Sequence, residues 1–505
     1  MDRKMSDSRT DVNEWNLTTK STLQRNERIM IPFIRAVFLF SFALCTSVSA
    51  AAQPNIVIIV ADDLGYGGLS CFGQTNYRTP HLDGMAAEGA RLLHFNCPAS
   101  FCAPTRASLL TGRYPFRCSM TANPAPDGGD VSHKLHLPES EVLLPQLLKQ
   151  AGYVTGMIGK WHLGHVEPRW LPTHRGFDSY FGIPYSNDMR PVALFEGDQR
   201  VEYPVIQADL TKRYTERALA FIDRHQREPF FLYLAHAMPH KPLAASEAFY
   251  KKSDAGLYAD TVIELDWGIG LVLAKLKELN LDEKTLVIFT SDNGATFGGS
   301  TGGLRGMKGS NYEGGYRVPM IARWPGHIPA GHSSKEPAVM MDLFATTLKV
   351  ASIKPSADRV IDGRDILPLL TSDARSPHQG IFGHKQSQLS CVRDARWKLH
   401  VLPPGIGLAT VYKPGQVYID PRGPDGVTIL APYEQSKTSE HPGVQTGDPP
   451  KAMQLFDLLN DPSEQINVAS TYPEIVARLK ATFGEMNRDV PAEVPNAETI
   501  ESKTK

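Results

Sequence analysis

The sequence has almost no surplus charge of either sign. Its 53 lysines and arginines stand against 54 aspartates and glutamates, a formal net charge of -1. Coating a polyanion takes clustered, uncompensated Lys and Arg, so the balance argues against a nucleic-acid partner. Cysteine is scarce: 6 residues in 505, none of them in a Cys-x-x-Cys pair. So few in so long a chain do not make a disulfide scaffold, and without paired spacing no structural zinc site is expected. No uninterrupted apolar run reaches the ~20 residues that a spanning helix requires, so no stable membrane span is expected. Internal repeats and low-complexity tracts are absent.

What is present is a foldable globular composition, 42% apolar and 21% charged, which excludes wholesale disorder. The 41 glycines and 38 prolines point to a loop-rich enzyme rather than a helical bundle. The length admits one large domain with a smaller one, or three ordinary ones.

Residues 36–48 (AVFLFSFALCTSV) follow Arg25, Arg28 and Arg35 and end in Val48-Ser49-Ala50. A positive stretch, a short apolar core and small residues in that order read as a secretory signal peptide. Residues 1–29 are a polar prefix to it, and Met30 is the expected start. Leu44, not a small residue, precedes Cys45, which argues against a lipid anchor. The expected destination is outside the cytoplasm, secreted or periplasmic. Five cysteines then remain, an odd number that leaves at least one unpaired or modified.

Short β-branched runs recur along the mature chain, and each ends in polar residues. Asn55–Ala61 runs into Asp62-Asp63-Leu64-Gly65, Val154–Gly159 into Lys160-Trp161-His162, Phe230–Ala235 into His236, and Leu286–Thr290 into Ser291-Asp292-Asn293-Gly294. Continuous apolar strands suggest a sheet covered on both faces, and the intervening helical stretches imply a mostly parallel α/β sheet. The clearest helix has Tyr258, Val262, Leu265, Ile269, Val272, Leu276 and Leu279 in one stripe, which is core packing. Ligands in open parallel sheets bind beyond the carboxyl ends of the strands, so four strands ending in chemically capable side chains point to one site. Residues 403–450 hold nine prolines with little periodicity and read as a long surface loop, a candidate cover for the pocket. A helix near Pro473–Glu485 is expected to close the chain.

The most informative string is Cys102-Ala103-Pro104-Thr105-Arg106, continuing Ala107-Ser108-Leu109-Leu110-Thr111-Gly112-Arg113. Pro104 suits the first turn of a helix, which would put Cys102 at a positive N-terminus. Asp62, Asp63, Asp292 and Asn293 offer only oxygen ligands, suited to a hard Ca2+ or Mg2+ ion rather than zinc. Adjacent aspartates would repel without a cation between them.

Cys-x-Pro-x-Arg followed by Ala-Ser-Leu-Leu-Thr-Gly-Arg resembles the signature of the sulfatase family, within the alkaline phosphatase superfamily. The resemblance extends from Asn55 to about Asn467. It takes in Asp62 to Gly67, Gly159 to Gly164, Pro239-His240-Lys241-Pro242, Ser291 to Gly294, Lys308 to Gly315, and Leu455-Phe456-Asp457-Leu458 to Asp461-Pro462. It implies an alkaline-phosphatase-like α/β fold, a mostly parallel central sheet flanked by helices, with a smaller C-terminal α+β subdomain. It also implies that a formylglycine-generating or equivalent maturation enzyme oxidises Cys102 to formylglycine, whose hydrate is the nucleophile. Calcium is the metal implied, held by Asp62, Asp63, Asp292, Asn293 and residue 102.

By the same resemblance Arg106 orients the formylglycine, Lys160 and Lys308 contact the sulfate, and His240 or Lys308 protonates the leaving alcohol. His162 would assist breakdown of the sulfated hydrate. Tyr185-Ser186-Asn187-Asp188 resembles a segment near the substrate pocket of arylsulfatase A and N-acetylgalactosamine-6-sulfatase relatives, which makes Asn187 and Asp188 candidate substrate contacts. His236 is a weaker candidate, since the family's functional histidine matches His240. The expected activity is sulfate-monoester hydrolysis on a sulfated carbohydrate. The rival readings are a phosphate or phosphonate monoester hydrolase, and a non-catalytic sulfated-glycan-binding protein. The expected organisation is a prefix and signal over 1–50, a catalytic domain over 51–375, a smaller subdomain over 376–490 and a polar tail over 491–505.

Overall fold

The computed structural model describes residues 53–296, 298–405, 444 and 446–492. The expected signal segment, most of the Pro-rich segment and nearly all of the polar tail lie outside the described residues.

Eleven strands among the described residues form the large sheet: β1 (Asn55–Ala61), β2 (Ala90–Asn96), β3 (Val154–Gly159), β4 (Ser179–Gly182), β5 (Leu194–Glu196), β6 (Gln199–Glu202), β7 (Phe230–Ala235), β8 (Thr285–Ser291), β9 (Arg317–Arg323), β10 (His332–Ser334) and β11 (Ala338–Val339). Across the sheet they run β10-β2-β9-β8-β1-β7-β3-β4-β5-β6, and β11 also pairs with β2. The centre is parallel: β1 lies between β7 and β8, and β3 between β7 and β4. Strand β9 runs antiparallel to both β8 and β2.

Every residue of β1, β7 and β8 is buried, because helices cover both faces. The period of two shows directly in β1. Ile56, Ile58 and Val60 enter a core with Ala103, Leu109 and Leu110 of helix Cys102–Thr111, Leu148 of helix Leu144–Gln150, and Phe344 of helix Asp342–Val350. Val57, Ile59 and Ala61 enter a second core, with helices Leu210–Arg224 and Leu257–Glu278. Side chains of this size each contribute roughly 1.5–3 kcal/mol on full burial. The apolar stripe on Leu257–Glu278 is buried from Tyr258 to Leu276, while Leu279 sits just past the helix end and is partly covered.

Strands β12 (Ile381–Lys385), β13 (Gln388–Arg393), β14 (Trp397–His400) and β15 (Gln454–Asp457) form a separate antiparallel sheet. Helix Pro473–Asn487 packs on it through Leu479 and Phe483, in a core that also takes Tyr114, Phe116, Val339 and Met341. Among the described residues no helix is long and apolar enough to cross a membrane.

Register explains why the polar strand ends meet. Ala61 pairs with Ser291, Val60 with Ala235, and Ala235 with Gly159. The next residues, Asp62, Asp292, His236 and Lys160, therefore leave neighbouring strands along one edge. Gly159 makes the exit of β3 possible: its φ is 108°, and a Cβ there would lie 1.8 Å from the Ala235 carbonyl oxygen. Gly159→Ala is therefore expected to destabilise the protein by about 2 kcal/mol or more, through backbone strain and a displaced β7. Urea unfolding would measure this, and an unchanged midpoint would contradict it.

Candidate active site

Helix Cys102–Thr111 is buried at all ten positions and ends at Gly112, whose left-handed φ of 71° lets its N–H close onto the Ser108 carbonyl. Cys102 is its first residue, so the helix starts at the strand ends of β1 and β8. The Cys102 Sγ lies 3.4 Å from Asp62 Oδ1, 3.9 Å from Asp63 Oδ1 and 3.4 Å from Lys308 Nζ. One turn on, Arg106 reaches back under the cysteine. Its Nε and Nη2 grip Asp292 Oδ2 at 2.9 and 2.8 Å, and its Nη1 donates to the Lys160 carbonyl at 3.0 Å.

Lys160 Nζ donates to Asp62 Oδ2 at 2.5 Å and to Ser186 Oγ at 3.0 Å. Lys308 Nζ lies 2.7 Å from Asp63 Oδ1. Asp63 N–H donates to Asp292 Oδ1 at 3.2 Å, and Asn293 Nδ2 donates to Asp63 Oδ1 at 2.7 Å. His240 Nε2 is 3.6 Å from Asp63 Oδ2, and its Nδ1 faces Asn187 Oδ1 at 3.0 Å and the Lys241 carbonyl at 2.6 Å. A carbonyl can only accept, so Nδ1 carries the proton there. His162 Nε2 lies 3.1 Å from the Pro124 carbonyl and so carries its proton, while Nδ1 is buried with no hydrogen-bond partner.

Asp63 and His162 both hold left-handed backbone, with φ of 64° and 62°. Non-glycine residues pay for that conformation in strain, which survives only where the surroundings over-determine it.

The set is buried throughout. Burial, and then Asp292, raises the Asp62 carboxyl to about 7. Burial also pushes the Cys102 thiol well above its usual value, with Asp292 and Asp62 adding to the rise. As a thiol it is a poor nucleophile, since only the thiolate attacks. Burial alone would lower Lys308, but Asp63 beside it carries its pKa well above the ordinary value. Burial holds both His162 and His240 well below the usual imidazole range, and nearby lysines reinforce this.

The buried cluster could hold a metal ion, with carboxylate oxygens beside one sulfur and one imidazole nitrogen. Ligand atoms of Asp62, Asp63, Cys102 and His240 lie within 4.8 Å of one another. Asn293 Oδ1 is buried without a hydrogen-bond partner, an acceptor left over in an oxygen-rich pocket. Asp292 joins through Arg106 and the Asp63 backbone.

The structure thus brings together Asp62, Asp63, Cys102, Arg106, Lys160, His240, Asp292, Asn293 and Lys308, with His162 and Asn187 adjoining. Asp188 lies 3.6 Å from Lys241 Nζ, at the side of His240. His236 is fully buried, its ring 6.3 Å from that of Tyr214, and neither ring nitrogen has a hydrogen-bond partner. Three partners escaped sequence reasoning. Ser186 holds Lys160, and its neighbours Asn187 and Asp188 were the available signal. Gln207 clamps Asn187 with two hydrogen bonds, at 3.0 and 2.8 Å, and Asn123 accepts the Ala103 N–H at 3.1 Å. Neither carries a signal in its local sequence.

The family model described as Sulfatase matches residues 54–353, more than half of the chain. The chain belongs to the sulfatase family. Its relatives include N-acetylgalactosamine-6-sulfatase of Rattus norvegicus, 39% identical over 412 residues, which cover 76% of this chain and 77% of the relative. Arylsulfatase A of Homo sapiens is 36% identical over 481 residues, covering 87% and 88%. Among solved structures, the crystal structure of Ps i-CgsB in complex with k-i-k-neocarrahexaose superposes with a TM-score of 0.70 at 27% identity, covering 89% of this chain and 96% of that one. This sulfatase is accordingly a hydrolase of sulfate esters with an alkaline-phosphatase-like fold.

Arg106 ties the helix of this sulfatase to two strand ends at once, and lysine cannot reproduce the planar fork. Arg106→Lys is expected to cost about 3 kcal/mol of stability, because it leaves Asp292 buried and poorly paired. Urea denaturation would read it, and a loss below about 1 kcal/mol would contradict it.

Proposed function

We propose that this sulfatase is a secreted, calcium-dependent enzyme that hydrolyses sulfate monoesters of a carbohydrate through a formylglycine made from Cys102. The observation that carries the reading is the setting of Cys102: first residue of a buried helix, 3.4 Å from both a carboxylate and an ammonium. Secretion is supported by the signal-like stretch at residues 36–48. Carbohydrate sulfates are supported by the similarity to N-acetylgalactosamine-6-sulfatase and to a structure in complex with k-i-k-neocarrahexaose.

Oxidised to formylglycine and hydrated, residue 102 would supply one hydroxyl to take the sulfuryl group and a second to expel sulfate and regenerate the aldehyde. Calcium, held by Asp62, Asp63, Asp292, Asn293 and residue 102, would supply positive charge for the sulfuryl oxygens. Charge balance bears on the substrate rather than on the choice of ion. The three buried carboxylates Asp62, Asp63 and Asp292 already face three buried cations, Arg106, Lys160 and Lys308. A divalent cation leaves a positive surplus for an anionic ester.

Lys160 and Lys308 flank the cysteine and take sulfate oxygens. Of the two candidate proton donors, Lys308 is the better placed, because His240 has its proton on Nδ1, committed to the Lys241 carbonyl. His240 Nε2 is left as an acceptor that holds the alcohol's position. His162 keeps Nδ1 unprotonated and unpartnered, suited to take the proton from the second hydroxyl. Asn187, gripped by Gln207, fixes the His240 ring, and Asp188 beside Lys241 is the substrate contact that the segment supports.

The tryptic peptide Leu92–Arg106 of protein from its native host tests the nucleophile. Cys102 should appear as the aldehyde while Cys97 alkylates normally, and Cys102→Ala should lower sulfate release at least ~10^3-fold. Full alkylation of both cysteines would favour the glycan-binding reading. Matched aryl esters separate the enzyme readings: sulfate should be released faster than phosphate, and the reverse order would favour the phosphate or phosphonate hydrolase.

The metal is tested separately. Exhaustive chelation should abolish turnover and lower the melting temperature, since a bound ion adds RT ln(1 + [L]/Kd) to stability. Calcium should restore both, and restoration by magnesium alone would reassign the site.

A further inference from the structure

The segment that carries Lys308 has little stiffness of its own. Six glycines lie between Gly302 and Gly315 inclusive, and Gly306 and Gly309 hold left-handed φ of 77° and 82°. Such a backbone ranges widely unless it is held. Anchors on its own side of the molecule include Lys308 N–H to the Ala295 carbonyl at 2.9 Å, Gly309 N–H to the Ser100 carbonyl at 3.1 Å, Gly294 N–H to the Gly315 carbonyl at 3.0 Å and Lys308 Nζ to Asp63 Oδ1 at 2.7 Å.

Further anchors come from the C-terminal sheet and from residues beside it. Ser310 Oγ donates to the Gly405 carbonyl at 2.8 Å, and Asn311 Nδ2 donates to Ser390 Oγ. Glu313, five residues after Lys308, enters a buried charge network. Its carboxylate takes Lys398 Nζ at 3.0 Å, Arg393 Nη1 at 2.9 Å and Arg317 Nε at 2.7 Å. Its backbone N–H donates to Glu464 Oε2 at 2.5 Å, and Glu464 Oε1 meets His400 Nε2 at 2.7 Å and Lys398 Nζ at 3.3 Å. Among the described residues Lys398 is thus the one cation shared by both carboxylates, and all of these groups are buried.

A buried ion network is a costly way to gain stability, because apolar side chains of the same volume serve as well or better. Its distinctive property is directional: each charge-assisted bond fixes an angle as well as a distance. Here those directions end on the backbone that presents Lys308. We propose that the Glu313–Lys398–Glu464–His400 network is a positioning device for Lys308, so that the small C-terminal sheet contributes to turnover without touching the substrate. Lys398 is the central positioning residue. The proposal rests on the role given above to Lys308.

A double-mutant cycle on the full-length, matured protein tests it, using Lys308→Ala, Lys398→Met and the double variant. Aryl sulfate turnover is normalised to aldehyde content at residue 102. Lys398→Met should lower kcat about 10-fold while KM changes little, because the loop is misplaced in the reacting complex. In the Lys308→Ala background the same substitution should have no further effect. An equal fold-loss in both backgrounds would overturn the proposal, since a merely structural role does not pass through Lys308. Should Lys398→Met not fold, Ser390→Ala, which removes the acceptor for Asn311 and the donor to the Gly383 carbonyl, goes through the same cycle. A loss confined to the Lys308 background supports the proposal, and equal losses overturn it. If Lys308→Ala by itself leaves turnover unchanged, the role assigned to Lys308 fails, a result distinct from additivity.

Discussion

Arg106 between Asp292 and the Lys160 carbonyl is the contact on which the site depends. It is a buried guanidinium in a helix that is itself wholly buried. It joins the first turn after Cys102 to the ends of β8 and β3. A buried charge tolerates that position only with its partners in place, so the pair locks helix and strands in one relative arrangement. The remaining charges then follow in alternation: Lys160 on Asp62, Lys308 on Asp63, and Asn293 closing between Asp63 and the Gly294 carbonyl. No member can shift without exposing another unpaired charge to a low-dielectric interior. Preorganised dipoles and charges of this kind need little rearrangement when a reacting group develops charge between them.

The tautomers of the two histidines show how backbone carbonyls assign chemistry. Burial keeps His162 and His240 neutral, so each ring has one donor and one acceptor nitrogen. The Pro124 carbonyl fixes the proton of His162 on Nε2, and the Lys241 carbonyl fixes that of His240 on Nδ1. Identical side chains thereby face the site with opposite nitrogens, and the assignment comes from loops far apart in sequence. In the proposed reaction the ammonium groups, held charged by adjacent aspartates, are left as the proton donors.

Much of this was legible beforehand because the parallel sheet writes itself into local sequence. Buried strands such as Asn55–Ala61 and Phe230–Ala235 must be apolar on both faces, and their bounds coincide with the apolar runs. Asp62, Lys160 and Asp292 follow such runs immediately, so their convergence needed only the rule that strand ends gather. Cys102 and Arg106 stood out through their spacing within one helix. Gln207, Asn123 and the Lys398 network did not, because each is defined by a contact between distant segments and carries no local pattern. Gln207 opens an ordinary helical turn and meets Asn187 only in the folded chain.

The amino-acid order alone determined the strands, the helix that begins at Cys102 and the family. These depend on neighbours within a few residues, where side-chain periodicity and steric rules act. Tertiary structure alone decided which nitrogen of each histidine is free and that His236 turns into the core beside Tyr214. It also decided that a glycine-rich loop bearing Lys308 is held by a buried network on another sheet. Apart from the His240 proton, which the adjacent Lys241 carbonyl fixes, those outcomes rest on the pairing of buried charges and hydrogen-bonding groups across long sequence separations, and burial, which gives such pairings their energetic weight, exists only once the chain has folded.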